Sequence, residues 1–304
     1  MKPLVNLQRI SNADNPRQIS VILMIVTALL WSLAGLAIKS VEWNPMGIAG
    51  ARSAIAAIVL LVANGTPGFN WSFPQVGGAI TYAGTVISFA FANKLTTAAN
   101  AILLQYTSPV WIALLGAAFL GERATWKDWL TIATVIAGMT LFFADDLTQT
   151  SLIGTIIAIS SGFFFGSLTL FLRKQKKESP METVLLGNIL TALICVPFML
   201  GSSPGSRGWL LLMLAGVFQL GVPYILYATA IKHVTALDAV LITAIEPILN
   251  PLWVLLVFGE RPGRWALAGG AIVLASVTVR GILAAIINNS ASATGSGRTT
   301  DDLS

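Results

Sequence analysis

Charge is scarce in this chain. Only 10% of its 304 residues are Asp, Glu, Lys or Arg, while 55% are hydrophobic, and the mean hydropathy is +0.79. A soluble domain carries about a quarter charged residues, and a larger core cannot absorb that shortfall because a water-facing surface still needs charge. A soluble enzyme and a disordered scaffold are excluded on this ground. The net charge of +5 is too dilute to form a basic patch, so no nucleic-acid partner is expected. Cysteine and histidine are nearly missing as well. Cys195 alone cannot close an intrachain disulfide, and with His233 as the single histidine no Cys/His metal cluster can assemble. No P-loop pattern ending in Gly-Lys-Ser/Thr occurs, which argues against an ATP-driven pump. With so few nucleophiles, bases and metal ligands, no enzyme activity, metal or cofactor is expected.

Long apolar runs are what the chain has instead. A membrane helix needs about 20 mostly apolar residues. That ruler gives ten spans, at 20–39, 46–63, 73–92, 97–119, 127–144, 151–172, 182–200, 208–230, 236–257 and 265–287. Turn-forming clusters separate them, among them Asn44-Pro45, Gly65-Thr66-Pro67-Gly68, Asp145-Asp146, Ser179-Pro180 and Arg261-Pro262-Gly263. The runs do not alternate in polarity, so they are helices and not the strands of a barrel. Residues 1–19 form a polar leading segment with Lys2, Arg9 and Arg17. The first apolar run is span-length and lacks a clean cleavage site, so it reads as a retained helix. Residues 288–304 read as a disordered tail.

Lys and Arg set the expected orientation. With a cytoplasmic N-terminus, that side holds Lys2, Arg9, Arg17, Arg123, Lys127, Arg173, Lys174, Lys176, Lys177, Lys232, Arg280 and Arg298. The other side holds Lys39, Lys94, Arg207, Arg261 and Arg264. The bias puts both termini in the cytoplasm, with the spans crossing the cytoplasmic membrane.

The chain also repeats itself. A shift of 138 residues lays Lys94 on Lys232, Thr97 on Thr235, Ala101 on Ala239, Pro109 on Pro247 and Gly121-Glu122-Arg123 on Gly259-Glu260-Arg261. Residues 20–144 and 151–287 thus read as two five-helix repeats. Five is odd, so the second repeat enters the membrane from the opposite side. The expected fold is all-α, with ten transmembrane helices in two inverted repeats around a central cavity. Such halves can exchange inward-open and outward-open states, the architecture of secondary transporters.

These features, with Thr107-Ser108-Pro109-Val110-Trp111 and Ile245-Glu246-Pro247-Ile248 leading to the two Gly-Glu-Arg turns, resemble the drug/metabolite transporter superfamily, and within it the bacterial EamA-type exporters. The resemblance covers about residues 20–287. It implies a cavity lined by spans 1, 3, 4, 6, 8 and 9, alternating access, and export of small metabolites, amino acids and their analogues being a common class. An amino acid exporter of that group is the nearest comparison, although the family does not fix the substrate.

Glu246 is the acidic residue that falls in mid-span. A charge at the bilayer centre costs roughly 2.5–3.5 kcal/mol on insertion scales, so it must face a cavity or a partner. Thr243, Glu246 and Asn250 form one polar stripe on span 9 at i, i+3, i+7. Their repeat mates on span 4 are Gln105, Ser108 and Ile112. Glu246 suits binding of a substrate's cationic group, or proton uptake that couples export to a proton gradient. A structural pairing with Lys39 or Arg52 is the alternative. Pro109 and Pro247 sit inside matching spans and should free the carbonyls of Gln105 and Thr243. With Pro223 and Pro251 they are the candidate bending points, as substrate acceptors or as static kinks.

Gln219 and Tyr227 flank Pro223 on span 8. Trp31, Tyr82 and Tyr227 lie on spans that the resemblance assigns to the cavity, where they can stack on a substrate, although packing or lipid contact is the default reading for each. Trp111, Phe164 and Trp253 also lie deep. Gly162 and Gly166 read as close helix packing. Lys39, Lys94 and Lys232 sit at span ends, where snorkelling is the default. Arg52 can bind an anion or pair with Glu42. Glu122-Arg123 and Glu260-Arg261 read as turn caps or gating contacts, and His233 as a loop residue.

The expected function is secondary export of a small zwitterion or organic cation by alternating access. The alternatives are an uncoupled facilitator or exchanger, a multidrug-type cation exporter, and a membrane sensor that does not transport. The partners expected are a small-molecule substrate and lipid; nothing calls for an obligate protein partner.

Overall fold

The computed structural model describes residues 15–96, 98–142, 151–249, 253, 264–265, 268–276 and 278–279. Among these it is all-helical. In chain order the helices are α1 (Pro16–Trp31), α2 (Ala34–Lys39), α3 (Pro45–Asn64), α4 (Phe73–Leu95), α5 (Ala98–Gln105), α6 (Ser108–Leu120), α7 (Trp126–Phe142), α8 (Leu152–Lys174), α9 (Pro180–Met199), α10 (Gly205–Leu214), α11 (Val222–Ala230) and α12 (Ala236–Thr243). A π-helical segment, Ala215–Gly221, joins α10 to α11. Asn250, Pro251, the second Gly-Glu-Arg turn, Asp145-Asp146, Lys2, Arg9 and the tail lie outside the described residues.

Seven stretches are long and apolar enough to cross a membrane: Pro16–Lys39, Pro45–Asn64, Phe73–Leu95, Ala101–Leu120, Leu152–Lys174, Pro180–Met199 and Gly205–Ala230. They answer to spans 1–4 and 6–8, and the chain is a multi-pass membrane protein. The faces of α1 show why. Its buried positions are Ser20, Met24, Thr27, Ala28 and Trp31, at helical spacing, while Ile22, Ile25, Val26 and Leu29 are exposed. The outer face is the more apolar one, which is stable only where the surroundings are hydrocarbon. Buried hydroxyls bond back to carbonyls one turn earlier, Thr27 to Leu23, Thr85 to Thr81 and Thr169 to Phe165, so they carry little unmet polarity into the interior.

Helix ends follow local chemistry. Asn44 caps α3, its side chain accepting from Gly47 N–H at 2.7 Å with Pro45 in the first turn. Gly121 ends α6 in the left-handed region at φ +74°, which favours glycine. That turn brings Glu122 to the helix end.

Helix α8 is the hub, packed along α4, α5 and α6, while α11 and α12 pack on α1 and the π segment lies on α3. Gly162 lets α8 approach the end of α5. A Cβ there would come within 2.4 Å of Thr107 Oγ1, 2.8 Å of the Gln105 carbonyl and 2.9 Å of the Leu104 carbonyl. Two of those atoms are backbone and cannot swing aside. Gly162→Val should therefore destabilise the fold by about 1–3 kcal/mol, seen as a lower melting temperature of the detergent-purified protein. Gly201→Ala, at a glycine with open space around it, should leave melting unchanged.

Candidate functional site

The expected bends are breaks. Span 4 stops at Gln105 and restarts at Ser108, with Pro109 in the first turn of α6. Span 9 is interrupted at Ala244 and Ile245, just ahead of Glu246-Pro247. The shift of 138 carries Tyr106-Thr107 onto Ala244-Ile245, so the two breaks sit at repeat-equivalent positions. A prolyl ring supplies no N–H and clashes with the carbonyl four residues back. Here that conflict ends one helix and begins another instead of bending a continuous rod. Pro223 acts differently, standing directly after the π segment. Span 1 breaks at Ser32 and Leu33 without any proline. The Ser32 hydroxyl donates to Leu29 O at 2.7 Å and accepts from Trp253 Nε1 at 2.7 Å.

The carbonyl freed by Pro247 has a partner. Tyr106, the first residue of the span 4 break, places its hydroxyl 2.5 Å from Thr243 O and 2.9 Å from Glu246 Oε2. One phenol thus ties the break of one half to the break and carboxylate of the other. Gln105, beside it, donates to Ser161 Oγ on α8 at 2.8 Å. Glu246 is 5% exposed, and its partner is neither Lys39 nor Arg52 but Tyr106.

A cavity of about 40 Å³ opens at this point, lined by Trp31, Arg52, Thr85, Val86, Phe89, Gln105, Phe165, Gln219, Leu220, Tyr224 and Glu246. Small-molecule sites are about 300–1,000 Å³, so this conformation is contracted around the cavity and holds room for little more than water. A roomier cleft of about 820 Å³ lies at the end of the bundle that holds Arg173 and Asp238, between the start of α7, residues 233–238, and Ala275, Ser276 and Val279. Its lining comes from helix ends and exposed side chains such as Trp126 and Leu130. The smaller cavity is the candidate site because it encloses the charges that the membrane interior makes expensive.

Of the residues expected in the site, Trp31, Gln105, Gln219 and Glu246 line this cavity. Tyr82 and Tyr227 stand behind it. Tyr82 donates to Asn188 Oδ1 at 3.0 Å and packs edge-on to Tyr224, while the Tyr227 hydroxyl pairs with Thr169 Oγ1 at 2.9 Å and its ring lies 5.1 Å from Trp31. Thr243 contributes its carbonyl, with its hydroxyl turned back to Ala239 and Val240. Ser108 is buried away from the lining and its hydroxyl has no partner. Sequence reasoning did not bring Tyr106, Phe89 or Phe165 to the site, and for Arg52 it left anion binding and a pairing with Glu42 both open. Arg52 does not pair with Glu42. It is 2% exposed, and it donates to Gln219 Oε1, presented by the π segment. The rule that singled out Glu246 applies to Arg52 too, since it is the cation well inside a span.

One end of the bundle is clamped. Arg173, ending α8, donates to Glu122 Oε1 at 2.9 Å and to the Ile231 and Lys232 carbonyls at 3.1 and 2.9 Å. Glu122 Oε2 accepts from Ala236 N–H at 3.1 Å. Arg17 adds a contact to Asp238 at 3.5 Å. Burial and the neighbouring cations Lys232 and Arg173 push the His233 pKa down, so it is mostly neutral near pH 7 and leaves the clamp's charge balance to Glu122 and Arg173.

The EamA-like transporter family matches residues 18–144 and again 152–281. The chain belongs to the EamA-like transporter family. An uncharacterized transporter of Archaeoglobus fulgidus is 30% identical over 197 residues, 64% of this chain and 71% of that one. The pseudopaline exporter CntI of Pseudomonas aeruginosa is 23% identical over 193 residues, 62% of this chain and 68% of that one. A protein of known crystal structure, 20% identical, aligns with a TM-score of 0.75 over 89% of this chain and 99% of its own, a likeness of fold alone. This EamA-family chain is a membrane transporter and not an enzyme.

Removing Glu122's charge should loosen the clamp. In Glu122→Gln, hydrogen exchange of the amides over residues 231–238 should rise by about tenfold, the equivalent of one charge-assisted hydrogen bond. Unchanged exchange there would mean that the turn is held by something else.

Proposed function

We propose that this transporter exports a small zwitterionic or cationic metabolite, amino acids and their analogues first among them, across the cytoplasmic membrane by alternating access between two inverted five-helix repeats. The observation that carries the reading is Glu246, a buried carboxylate at a helix break, held to the repeat-equivalent break by Tyr106. Freed backbone and a carboxylate at membrane depth belong where a cavity or a solute meets them. The match of the family to each half of the chain supports the two-repeat reading, and a relative named as an exporter supports the direction. Positive-inside counting puts the Arg173–Glu122 contact on the cytoplasmic side, the end that also carries the roomier cleft lined by Arg17, Arg173 and Asp238.

Glu246 is the group through which a cationic solute, or a proton taken in its place, is carried. Tyr106 faces it directly and Arg52 lines the same cavity. Exchange of a solute cation for a proton needs one carboxylate, which is what the site holds.

Counterflow in proteoliposomes, screened with amino acids and polyamines, tests this reading. Saturable exchange of at least one such solute is expected. Glu246→Gln, which keeps the side chain's shape, should lower that exchange by about tenfold or more and flatten its pH dependence. Exchange with unchanged rate and unchanged pH dependence in Glu246→Gln would remove Glu246 from the mechanism.

A further inference from the structure

Two opposite charges line this one cavity, and they are not paired. Among the described residues the ion pairs are Arg17–Asp238 and Arg173–Glu122, and neither Arg52 nor Glu246 takes part in one. Each is held by a neutral group: Arg52 by the Gln219 amide oxygen, Glu246 by the Tyr106 hydroxyl. The Arg52 Nε–H is buried and has no acceptor at all. A buried guanidinium with one neutral partner and one idle donor is an expensive arrangement in the interior, as is a carboxylate with one hydroxyl. If the two were there to stabilise packing, the cheap solution would be to pair them with each other. Gly216 in the π segment lets that backbone lie against α3, where an added Cβ would meet Ile55 and the Arg52 carbonyl. Gln219 is thereby brought onto Arg52 and fixes the direction of the guanidinium.

We propose that Arg52 is the receptor for the carboxylate of the transported solute, with Glu246 receiving its ammonium group, so that the solute must be a zwitterion carrying both. This rests on the transport reading above and narrows its substrate class, excluding simple organic cations. A guanidinium offers adjacent N–H groups that match the two oxygens of a carboxylate. The walls are Trp31, Phe89, Phe165 and Tyr224, suited to an apolar or aromatic body between the two ends. A phosphate would need several cations, and among the lining residues Arg52 is the only one. A zwitterion neutralises both charges at once, which lets the loaded protein close around it at a lower electrostatic cost than the empty one.

The test is counterflow by the full-length protein in liposomes, using amino acids, the corresponding amino acid amides and the corresponding carboxyl-free amines as competing solutes. The wild type is expected to exchange amino acids and to discriminate against the amides and amines by about tenfold or more. Arg52→Gln should lose most of that discrimination, by weakening amino acids while leaving amines unchanged. Gln219→Glu keeps Arg52 and gives it a resident carboxylate, so it should produce the same loss in a protein whose guanidinium is intact. That variant keeps the proposal testable if Arg52→Gln fails to fold. Amines exchanged as well as amino acids by the wild type, or discrimination unchanged in folded Gln219→Glu, would overturn the carboxylate assignment and leave the transport reading standing. No exchange of any amino compound by the wild type would overturn both.

Discussion

A carbonyl stripped of its donor inside a membrane has to find another, and the rest of this structure is arranged around that need. Pro247 withholds an N–H from Thr243, and the Tyr106 hydroxyl stands 2.5 Å from the orphaned oxygen. In water the loss would be made good by solvent. At bilayer depth it must be met by protein or by a water-lined cavity. Tyr106 can reach because its own helix is broken by the repeat-equivalent Pro109. The span 4 break thus helps to satisfy the span 9 break, and the two halves of the chain meet where their backbones are least regular.

The same place concentrates electrostatic expense. Glu246 follows its break directly, and Arg52, on the regular helix α3, is met by Gln219 from a π segment that stands before a third proline, Pro223. Irregular helix and buried charge occur together because the irregular stretches expose backbone and alter side-chain direction, giving a charge somewhere to point other than lipid. Away from this zone buried hydroxyls such as those of Thr27 and Thr169 bond back within their own helices, and outer faces such as that of α1 are apolar. The clamp at the Glu122 and Arg173 end ties helix termini together beside the roomier cleft, where side chains can part without exposing hydrocarbon core. A carrier needs that division: a site that is costly when empty, and ends that can open at modest cost.

Much of this was legible in the residues. Span lengths and the Gly121 helix stop are local signals, and the seven membrane-length helices and the end of α6 agree with them, while the repeat that equates Pro109 with Pro247 is read from the sequence itself. Glu246 stood out because charge is rare, and the freed Thr243 carbonyl followed from the proline. What could not be read was azimuth and partner. The resemblance puts Tyr82 and Tyr227 on cavity spans, but does not say that Asn188 and Thr169 hold them behind the cavity wall. Tyr106 looked like one more aromatic in an apolar run, since its partner lies 137 residues away in sequence. Arg52 carried the signal that marked Glu246, yet its direction depends on a π turn that no periodicity predicts.

The central claim is that the contracted cavity between Arg52 and Glu246 is where the transported solute sits. Phe89 lines that cavity, and Cys195 is the only native cysteine. Alkylation of Phe89→Cys by a small thiol reagent, in a Cys195→Ala background, measures occupancy directly. A solute that the protein exchanges should slow labelling several-fold at concentrations that saturate exchange. Labelling that proceeds at the same rate with and without saturating solute would contradict the claim.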